Sequence, residues 1–411
     1  MTTPPVRRVL IVEDGLGPHP LVAARSFGEA GWTVGVGSPV REGRAVSSRH
    51  VSAWHPVPPA ETDERTFVAA TVAAIETGRY DLVFGADDVE VLALSAARDE
   101  LAARGAIFPY PAHDVVVATI DKLAVTGAAE RAGVPVPRTR DAASGLLPDD
   151  LTYPAVVKAR LHWTPGTADV PARLERAICA TPQEVAEAVT RMLAAGGSPI
   201  VQERIDGGLG ALTLLLDRDG QVRARLQQEA ERISPFWHNS VAARTVPVDE
   251  DLVERVVGML RDLGWWGLVN LQFLLPGGTW VASTGDAAGR LIDVNGRFYG
   301  SIALARAAGL DLPLLWGKLA LEHGDSARYP AGPALTGRAG VRYQSLEEDL
   351  RRAVTERRGG LVRDVRATIR YASGATHSTW AADDRRPALL RSRSVVRSES
   401  RELARRLLRR R

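Results

Sequence analysis

The chain has 411 residues, 45% of them hydrophobic and 25% charged, which excludes a disordered or fibrous protein and leaves room for two or three packed units. Its single cysteine excludes an internal disulfide framework and suits a reducing compartment. The net charge of +3 is unevenly spread, because residues 385–411 hold eleven arginines and only two acids.

No stretch approaches the roughly 18 apolar residues of a membrane span, and the first seven residues lack a signal-peptide pattern. We therefore expect a cytoplasmic protein with no membrane partner. Leu403, Leu407 and Leu408 follow helical spacing in the basic tail. That spacing favours a basic helix packed on an acidic body over a tail that binds nucleic acid.

The first 110 residues alternate strand-like and helix-like segments. An apolar run at 9–12 is typical of a buried parallel strand, and Asp87 with Glu90 has capping-box spacing at a helix start. Strands are predicted at 9–12, 33–36 and 81–85, and helices at 20–30 and 66–77. This order predicts a doubly wound parallel sheet, and the absence of G-x-G-x-x-G argues against a dinucleotide site.

Beyond a predicted linker at 107–112, helices alternate with strands, two of which form a hairpin. Helices are predicted at 121–132, 181–195 and 249–263, and strands at 153–158, 199–203, 212–216, 222–227, 268–275, 280–283 and 290–295. We divide the chain into units of residues 1–110, 111–200, 201–325 and 326–411.

Lysine is scarce, since only Lys122, Lys158 and Lys318 stand among 52 basic residues. A compact ammonium enters a crowded phosphate site that a planar guanidinium does not fit. Lys158 ends an apolar strand, and Lys122 opens a helix, where a cation opposes the helix dipole unless an anion is near. The alternatives are chance survival of three lysines and a surface pair of Asp121 with Lys122. Lys318 is interpreted as structural.

One predicted strand carries a polar alternation. Asp293, Asn295 and Arg297 share a face, because alternate residues of a strand do, while Ile292 and Val294 point into a core. Carboxylate and amide oxygens suit Mg²⁺, and a guanidinium suits phosphate. The alternative is an exposed edge strand with an incidental polar face.

Gln272 lies on the preceding strand. A hairpin between the two strands would place Gln272 beside Asp293 and give three oxygen ligands in one place. On the other interpretation, Gln272 is a buried glutamine that completes internal hydrogen bonds.

The order of these motifs resembles the ATP-grasp superfamily over residues 115–320. The matching segments are DK at 121–122, AGVPVP at 132–137, YPAVVK at 153–158, VQERI at 201–205, NLQF at 270–273, DVNGR at 293–297 and AGLDLP at 308–313. The resemblance implies an α/β fold with an N-terminal doubly wound parallel-sheet domain. A two-lobed ATP-grasp fold of α+β type and a C-terminal extension would follow it.

The same resemblance implies the ligands and the residues that hold them. ATP and Mg²⁺ are the expected cofactors, with Mn²⁺ as a substitute. The implied set is Lys122 and Lys158 on phosphates, Gln202, Glu203 and Ile205 on adenine, Asp206 near the ribose, Gln272, Asp293 and Asn295 on the metal, and Arg297 with Lys158 as catalytic residues.

In that family ATP phosphorylates a carboxylate, and a nucleophile such as an amine attacks the acylphosphate. The implied function is amide or peptide bond formation between a small-molecule carboxylate and an amine, amino acid or peptide-like, with release of ADP and phosphate. The family's acceptor substrate faces the segment at 229–244. Arg232 or Arg244 could bind its carboxylate there, with plain surface charge as the alternative and His238 as a weaker candidate.

The sequence departs from the family pattern in its metal ligands, which are usually two glutamates and an asparagine. Gln272 is neutral, and Asp293 is shorter than glutamate by roughly 1.5 Å. The loop after Lys158, with Thr164 and Thr167, has a single glycine, Gly166, and is a poor glycine-rich flap.

Two other functions stay open at this point. One is a carboxylase or carbamoyl-phosphate-type enzyme on the same fold, although the sequence shows no biotinyl or glutaminase segment. The other is a non-catalytic protein that binds a nucleotide or nucleic acid. The C-terminal extension, with a predicted docking segment at 379–384, would cover the site or make a homodimer contact.

Overall fold

A computed structural model describes residues 7–147, 149–161, 176–236, 239–281, 284–321 and 333–392. The predictions that concern Thr164, Gly166, Thr167, His238 and the tail beyond residue 392 lie outside these residues. Within them, no helix is both long and apolar enough to cross a membrane.

The N-terminal part is a parallel sheet covered by helices, which confirms the predicted fold class. The elements are β1 (Arg8–Val12), α1 (His19–Glu29), β2 (Thr33–Ser38), β3 (Val51–Pro56), α2 (Glu64–Gly78), β4 (Leu82–Gly85), α3 (Asp88–Ala96) and α4 (Arg98–Ala102). The strand order is β3-β2-β1-β4, with all neighbours parallel. Residues Val9–Val12 are fully buried, as expected for a parallel strand covered on both faces.

A second sheet is small and antiparallel, with strand order β5-β8-β6-β7. Its region comprises α5 (His113–Ile120), α6 (Lys122–Arg131), β5 (Thr139–Asp141), β6 (Ala155–Ala159), β7 (Ala177–Cys179), α7 (Pro182–Ala194) and β8 (Pro199–Glu203). One face of β6 packs against Val185 and Val189 of α7 in a separate core. The alternation of the strand therefore turns Lys158 to the other face.

A third sheet has the strand order β13-β12-β9-β10-β11-β15-β16, with β14 beside β10. Its region comprises β9 (Gly208–Leu216), β10 (Val222–Ile233), β11 (Ser240–Val246), α8 (Glu250–Leu263), β12 (Gly267–Leu275), β13 (Arg290–Asn295), α9 (Ile302–Ala307), α10 (Leu312–Leu321), β14 (Leu335–Thr336), β15 (Arg342–Gln344), α11 (Leu346–Glu356), α12 (Leu361–Ala372) and β16 (Thr376–His377). Helix α8 starts at the Asp249 cap and stops at Gly264, whose φ of 79° suits a glycine.

Two segments differ from the prediction. Trp280 and Val281 form no strand, because Trp280 folds over the sheet, packs on Phe273 and donates its indole N–H to the Gln228 carbonyl oxygen at 3.0 Å. The predicted linker at 107–112 is part of the core, since Phe108 and Tyr110 are buried. Short segments of this kind carry too little periodicity to separate a strand or linker from a core loop.

The C-terminal extension contacts both the third sheet and the N-terminal part. Strands β15 and β16 continue the third sheet beside β11. Asp384 reaches the N-terminal part, where its carboxylate accepts hydrogen bonds from Arg25 at 2.9 Å and Ser48 at 2.6 Å. The predicted docking segment at 379–384 therefore contacts helix α1 and the loop before β3 within the same chain.

Candidate active site

Polar side chains line one face of the third sheet. Asp293 of β13 pairs with Gln272 of β12, as the predicted hairpin requires, and Gln272 pairs with Ala211 of β9. Residues directly opposite each other in paired strands project from the same face. The carboxylate of Asp293 and the amide of Gln272 therefore lie side by side.

The neighbouring pair on this face is Asn295 opposite Asn270. The Asn295 side-chain nitrogen donates to the Asn270 carbonyl at 3.4 Å, and its oxygen accepts from Arg297 at 3.1 Å. Asn270 in turn donates to the Thr213 hydroxyl at 2.8 Å. These bonds fix the amide oxygen of Asn295, which still has a second lone pair for a metal.

The apolar side of β13 departs from the prediction in one place. Val294 is in the core, but Leu291 rather than Ile292 is the other buried apolar residue of this strand. The pairing between β12 and β13 shifts register between Gln272 and Phe273. An extra residue at such a shift reverses the alternation of faces, and the sequence does not signal it.

Arg297 joins this face to the N-terminal part. Its guanidinium donates to the two oxygens of Asp88 at 2.9 and 3.2 Å and lies 3.6 Å from Asp87. Burial opposes the charge, but the carboxylates of Asp88 and Asp87 outweigh it and raise the pKa of Arg297. The guanidinium is thus held rigidly, with one edge on Asp88 and another on Asn295.

Lys158 faces this polar surface from the second sheet. Burial, together with the nearby charges of Lys122 and Arg176, lowers the pKa of its ammonium to about 7, although Asp293 opposes the shift. These interactions place the two lysines and Asp293 within electrostatic range of one another, although they come from three different elements. The structure therefore brings together the predicted phosphate ligands and the predicted metal ligand.

Lys122 is buried, with 7% of its surface exposed. Asp121 does not hold it in a surface pair, because Asp121 caps α6 through the Leu123 N–H at 2.9 Å and binds the Arg160 guanidinium at 2.6 Å. The carboxylate of Asp121 is thus committed elsewhere. Two ammonium groups within electrostatic range of each other, beside the carboxylate of Asp293, form a set of charges that suits phosphate.

The predicted adenine residues follow one another from β8 into the connection to β9. Gln202 is buried on the same face as Lys158 and donates to the Thr139 hydroxyl at 2.8 Å. Glu203 accepts from the Arg138 N–H at 3.2 Å, and Asp206 is exposed beside Arg204. Ile205 lies half-buried between them. Their role toward a nucleotide stays a prediction.

The two arginines predicted to bind substrate are not brought to this face. Across the third sheet, Arg244 of β11 lies opposite Glu229 of β10, Glu229 opposite Gly210 of β9, and Gly210 opposite Phe273 of β12. Phe273 is the neighbour of Gln272 on its strand, so this row, with Arg244, projects from the opposite face to Gln272. The Arg244 guanidinium binds the Glu229 carboxylate at 2.9 and 2.7 Å.

Arg232 is engaged by the C-terminal extension. It donates to Asp349 of α11 at 2.6 Å, and its guanidinium stacks 4.8 Å from the Tyr371 ring centre. A substrate carboxylate would have to displace these partners, so the role of both arginines stays a prediction that the geometry does not favour.

Sequence reasoning missed the acidic partners of Arg297. Asp87 was assigned only to a capping box, which the structure confirms through the Glu90 carboxylate and the Asp87 N–H at 3.1 Å. The available signal was two adjacent carboxylates at the carboxyl end of β4, the edge where parallel α/β sheets bind ligands.

The oxygen donors of this face fit Mg²⁺ bound together with a nucleotide. Asp293, Gln272 and Asn295 supply one carboxylate and two amides, and magnesium sites commonly combine one or two carboxylates with substrate phosphates. In the described part of the chain, three acidic or histidine ligands come within 4.8 Å of one another only at Glu29, His50 and Asp383. We therefore expect weak metal binding at Asp293 without phosphate.

No family model matches the sequence, and a search of curated proteins gives no match. Solved structures match over most of the chain. A biotin carboxylase from Campylobacter jejuni in complex with β,γ-ATP superimposes with a TM-score of 0.64 at 16% identity, covering 82% of this chain and 74% of that one. The chain has the ATP-grasp fold.

Two further structures show the same ATP-grasp likeness. An L-amino acid ligase from Bacillus licheniformis gives a TM-score of 0.58 at 17% identity, covering 78% of this chain and 75% of that one. The biotin carboxylase domain of a Hydrogenobacter thermophilus 2-oxoglutarate carboxylase, solved as a dimer with MgADP and bicarbonate, gives 0.59 at 14%, covering 82% and 73%. At these identities the likeness concerns the fold.

Proposed function

We propose that this protein is an ATP-dependent ligase that activates a carboxylate as an acylphosphate and joins it to an amine, releasing ADP and phosphate. The observation that carries the proposal is the convergence of Lys122 and Lys158 on the face that bears Gln272, Asp293 and Asn295. Those are the groups needed to hold a nucleotide's phosphates and the metal that accompanies them.

Each residue has a role that its surroundings support. The two ammonium groups would bind phosphate oxygens, and Arg297, held by Asp88, would stabilise the charge of the transferring phosphoryl group. Gln272, Asp293 and Asn295 would hold Mg²⁺, which neutralises phosphate charge when bound. Gln202, Glu203, Ile205 and Asp206 would line the nucleoside. Phosphoryl transfer then depends on positioning and charge neutralisation.

Without a ligand, the two lysines lower the stability of the folded protein. Two neighbouring like charges destabilise each other, and the burial of Lys122 and partial burial of Lys158 add a desolvation penalty for each. A triphosphate would add counter-charges for both ammonium groups. Binding energy and charge neutralisation would thus come from the same contacts.

The test is ADP release from ATP and Mg²⁺ with pools of carboxylates and amines. We expect release that needs both a carboxylate and an amine, and a Lys158→Arg variant that loses at least about a hundredfold in turnover because the planar fork does not reproduce an ammonium. Lys318→Arg is the matched control, since Lys318 lies in α10 outside the site, and it should keep full turnover.

Three results would contradict the proposal. ADP release that depends on bicarbonate alone would favour a carboxylase, since two of the similar structures are carboxylase domains. Nucleotide binding without release in any pool would favour a non-catalytic protein. Full turnover in Lys158→Arg would remove Lys158 from the site.

A further inference from the structure

Three side chains that can bind a metal meet where the C-terminal extension contacts the N-terminal part. They are Glu29, the last residue of α1, His50, just before β3, and Asp383 of the docking segment at 379–384. One ligand atom of each lies within 4.8 Å of the other two. The three residues belong to segments that are distant in sequence, so the docking of the extension is what brings them together.

The imidazole of His50 has an unsatisfied nitrogen at the centre of this cluster. Its Nε2 is shielded from solvent and has no hydrogen-bond partner in the described residues, and only 10% of the side chain is exposed. The Asp383 carboxylate lies 3.9 Å from this nitrogen, which is too far for a hydrogen bond. A buried polar nitrogen costs free energy unless something binds it. The nitrogen is therefore available to a ligand.

Packing holds the imidazole in this position. A Cβ on Gly28 would lie 2.6 Å from the Cβ of His50, so His50 can pack directly on α1 only because residue 28 is a glycine. The His50 N–H donates to the Ser48 hydroxyl at 3.3 Å, and that hydroxyl donates to Asp384 at 2.6 Å. These contacts place the ring without using its Nε2.

The adjacent residues Asp383 and Asp384 have different surroundings. The buried carboxylate of Asp384 accepts from Arg25 at 2.9 Å, and this contact docks the segment. The side chain of Asp383 is 58% exposed, and in the described residues its carboxylate approaches only His50. Its backbone carbonyl accepts from the Arg49 guanidinium at 3.0 Å, which fixes the backbone beside the cluster. Asp384 therefore attaches the segment, and the carboxylate of Asp383 can bind a ligand.

Glu29 adds a second carboxylate at the carboxyl end of α1, where the helix dipole disfavours an acid and favours a cation. Both of its oxygens accept hydrogen bonds from Arg306, one of them at 3.0 Å. A carboxylate offers about four lone-pair sites, so Glu29 retains acceptors for a metal. A metal beside Glu29 would be stabilised both by the carboxylate and by the end of the helix.

We propose that Glu29, His50 and Asp383 bind a divalent transition metal of the Zn²⁺ type, which clamps the C-terminal extension to the N-terminal part. Zinc binds imidazole nitrogen and carboxylate oxygen at about 2.0–2.2 Å, so two ligands of one zinc lie up to about 4.3 Å apart. The 3.9 Å between His50 and Asp383 is within this limit, and the exposed side chains of Glu29 and Asp383 can rotate to close the remaining distance. Water would fill the fourth position.

This site goes beyond the proposed ligase function and does not depend on it. Imidazole suits transition metals, whereas Mg²⁺ prefers oxygen ligands, so the magnesium that accompanies a nucleotide should not compete for His50. The two metals would thus occupy separate sites that can be titrated independently.

The alternative is a protonated His50 that forms a long ion pair with Asp383, or a water molecule between the two side chains. In either case Glu29 is only the partner of Arg306, and no transition metal binds. The two interpretations therefore differ in whether zinc binds and in whether its binding depends on all three residues.

The experiment titrates Zn²⁺ into the metal-free full-length protein, in competition with a chromophoric chelator and with excess Mg²⁺ present. We expect one zinc per chain. His50→Phe, which keeps a planar ring but no nitrogen, should lose at least about a hundredfold in zinc affinity, and Glu29→Gln and Asp383→Asn at least about tenfold each. His113→Phe is the matched control, because His113 contacts Ser95 outside the cluster, and it should bind zinc as the wild type does.

Hydrogen–deuterium exchange of residues 379–384 tests the clamp. A metal that binds only the folded state and joins separate segments suppresses their local opening. Zinc should therefore slow exchange in this segment in the wild type and in His113→Phe, but not in Asp383→Asn. Circular dichroism and thermal unfolding of each metal-free variant show whether it is folded.

Absence of zinc binding in the wild type, or unchanged zinc affinity in both His50→Phe and Asp383→Asn, overturns the site. Zinc binding that depends on these residues but leaves exchange of 379–384 unchanged overturns the clamp. Lost zinc binding in a folded His50→Phe variant, together with slower exchange in the wild type, supports both. Failure of ADP release in a protein that binds zinc in this way counts against the ligase proposal alone.

Discussion

Two cations of this chain whose charge is opposed by burial have opposite surroundings. Arg352 of α11 is fully buried, and its guanidinium binds Asp349 at 2.7 Å, Asp364 at 2.8 Å and Glu356 at 3.0 Å. Burial opposes its charge, but these carboxylates outweigh the penalty and raise the pKa of Arg352. Arg352 and these three carboxylates of α11 and α12 thus form a network in which each of the four charges has a partner.

The surroundings of Lys158 are the reverse. Its partly buried ammonium lies near a second cation, Lys122, and Asp293 is the group that opposes the fall of its pKa to about 7. The difference teaches how to separate a cation that supports the fold from one that serves a ligand. Buried charges are costly unless paired, so a cation that lacks sufficient counter-charge is retained for something that the free protein does not contain.

The largest expected effect is on the free energy of unfolding, and it tests the comparison of Arg352 with Lys158. Arg352→Met should lower the free energy of unfolding by about 3–5 kcal/mol, because Asp349 and Asp364 lose a shared buried counter-ion. Lys158→Met should not lower it, because it removes a charge that the fold disfavours. Urea denaturation of both variants checks the pair.

Equal losses in the two variants would contradict the comparison, since Lys158 would then hold the fold as Arg352 does. A Lys158→Met variant that is as stable as the wild type but binds no ATP analogue would sharpen it. The Lys318→Met variant serves as the control for loss of a lysine from a helix outside the site.

The next effect concerns Asp293, the carboxylate that Lys158 faces. Asp293→Asn should reduce turnover about 10–100-fold and raise the Mg²⁺ concentration needed for half-maximal turnover, because the proposed metal set loses its only charged ligand. Asp286→Asn, a fully exposed aspartate before β13, is the matched control. An unchanged Mg²⁺ requirement in Asp293→Asn would show that the metal ligands lie elsewhere.

Much of this site could be predicted because its information is local. The alternation of Asp293 and Asn295 follows from the two-residue period of a strand, and the pairing with Gln272 follows from joining two consecutive strands. The helices predicted to start at Asp121 and Asp249 do begin there, and each aspartate caps its helix.

The remainder depends on register and on contacts between distant segments. Arg297 meets Asp88 across 209 residues of chain, and no local pattern predicts that contact. Arg244 projects from the opposite face to Gln272 because β9 and β10 set its register, which composition does not encode. A carboxylate at a strand end, such as Glu13, can be predicted to be buried only when the covering loops are known.

The third prediction concerns the protonation of Lys158. Lys158 has a folded pKa of about 7 against an ordinary value of 10.5, so the unfolded chain binds more protons between these values and stability should rise with pH across this window. The charged groups that face it are Lys122, Asp293 and Arg176. Phosphate favours the ammonium, so ATP-analogue binding should take up protons, up to one per site, at pH 8.

Calorimetry in buffers of different ionisation enthalpy at pH 8 measures this uptake. The affinity should fall as pH rises above 7, because a growing share of Lys158 must first be protonated. Lys158→Met should abolish the uptake while Lys318→Met retains it. Uptake that persists in Lys158→Met would place the titrating group elsewhere.

The smallest expected effect tests the opposite face of the third sheet. Arg244→Gln removes a guanidinium with 47% of its side chain exposed, bound to Glu229 as Arg352 is bound to its acids. Exposed pairs contribute about 0–1 kcal/mol, so the change in unfolding free energy should stay within that range. The KM for carboxylate and amine should change less than about twofold, because Arg244 projects away from Lys158 and Asp293. A tenfold rise in the KM for either substrate would instead confirm the sequence prediction that Arg244 binds a substrate carboxylate, and partnered arginines could then no longer be dismissed as structural.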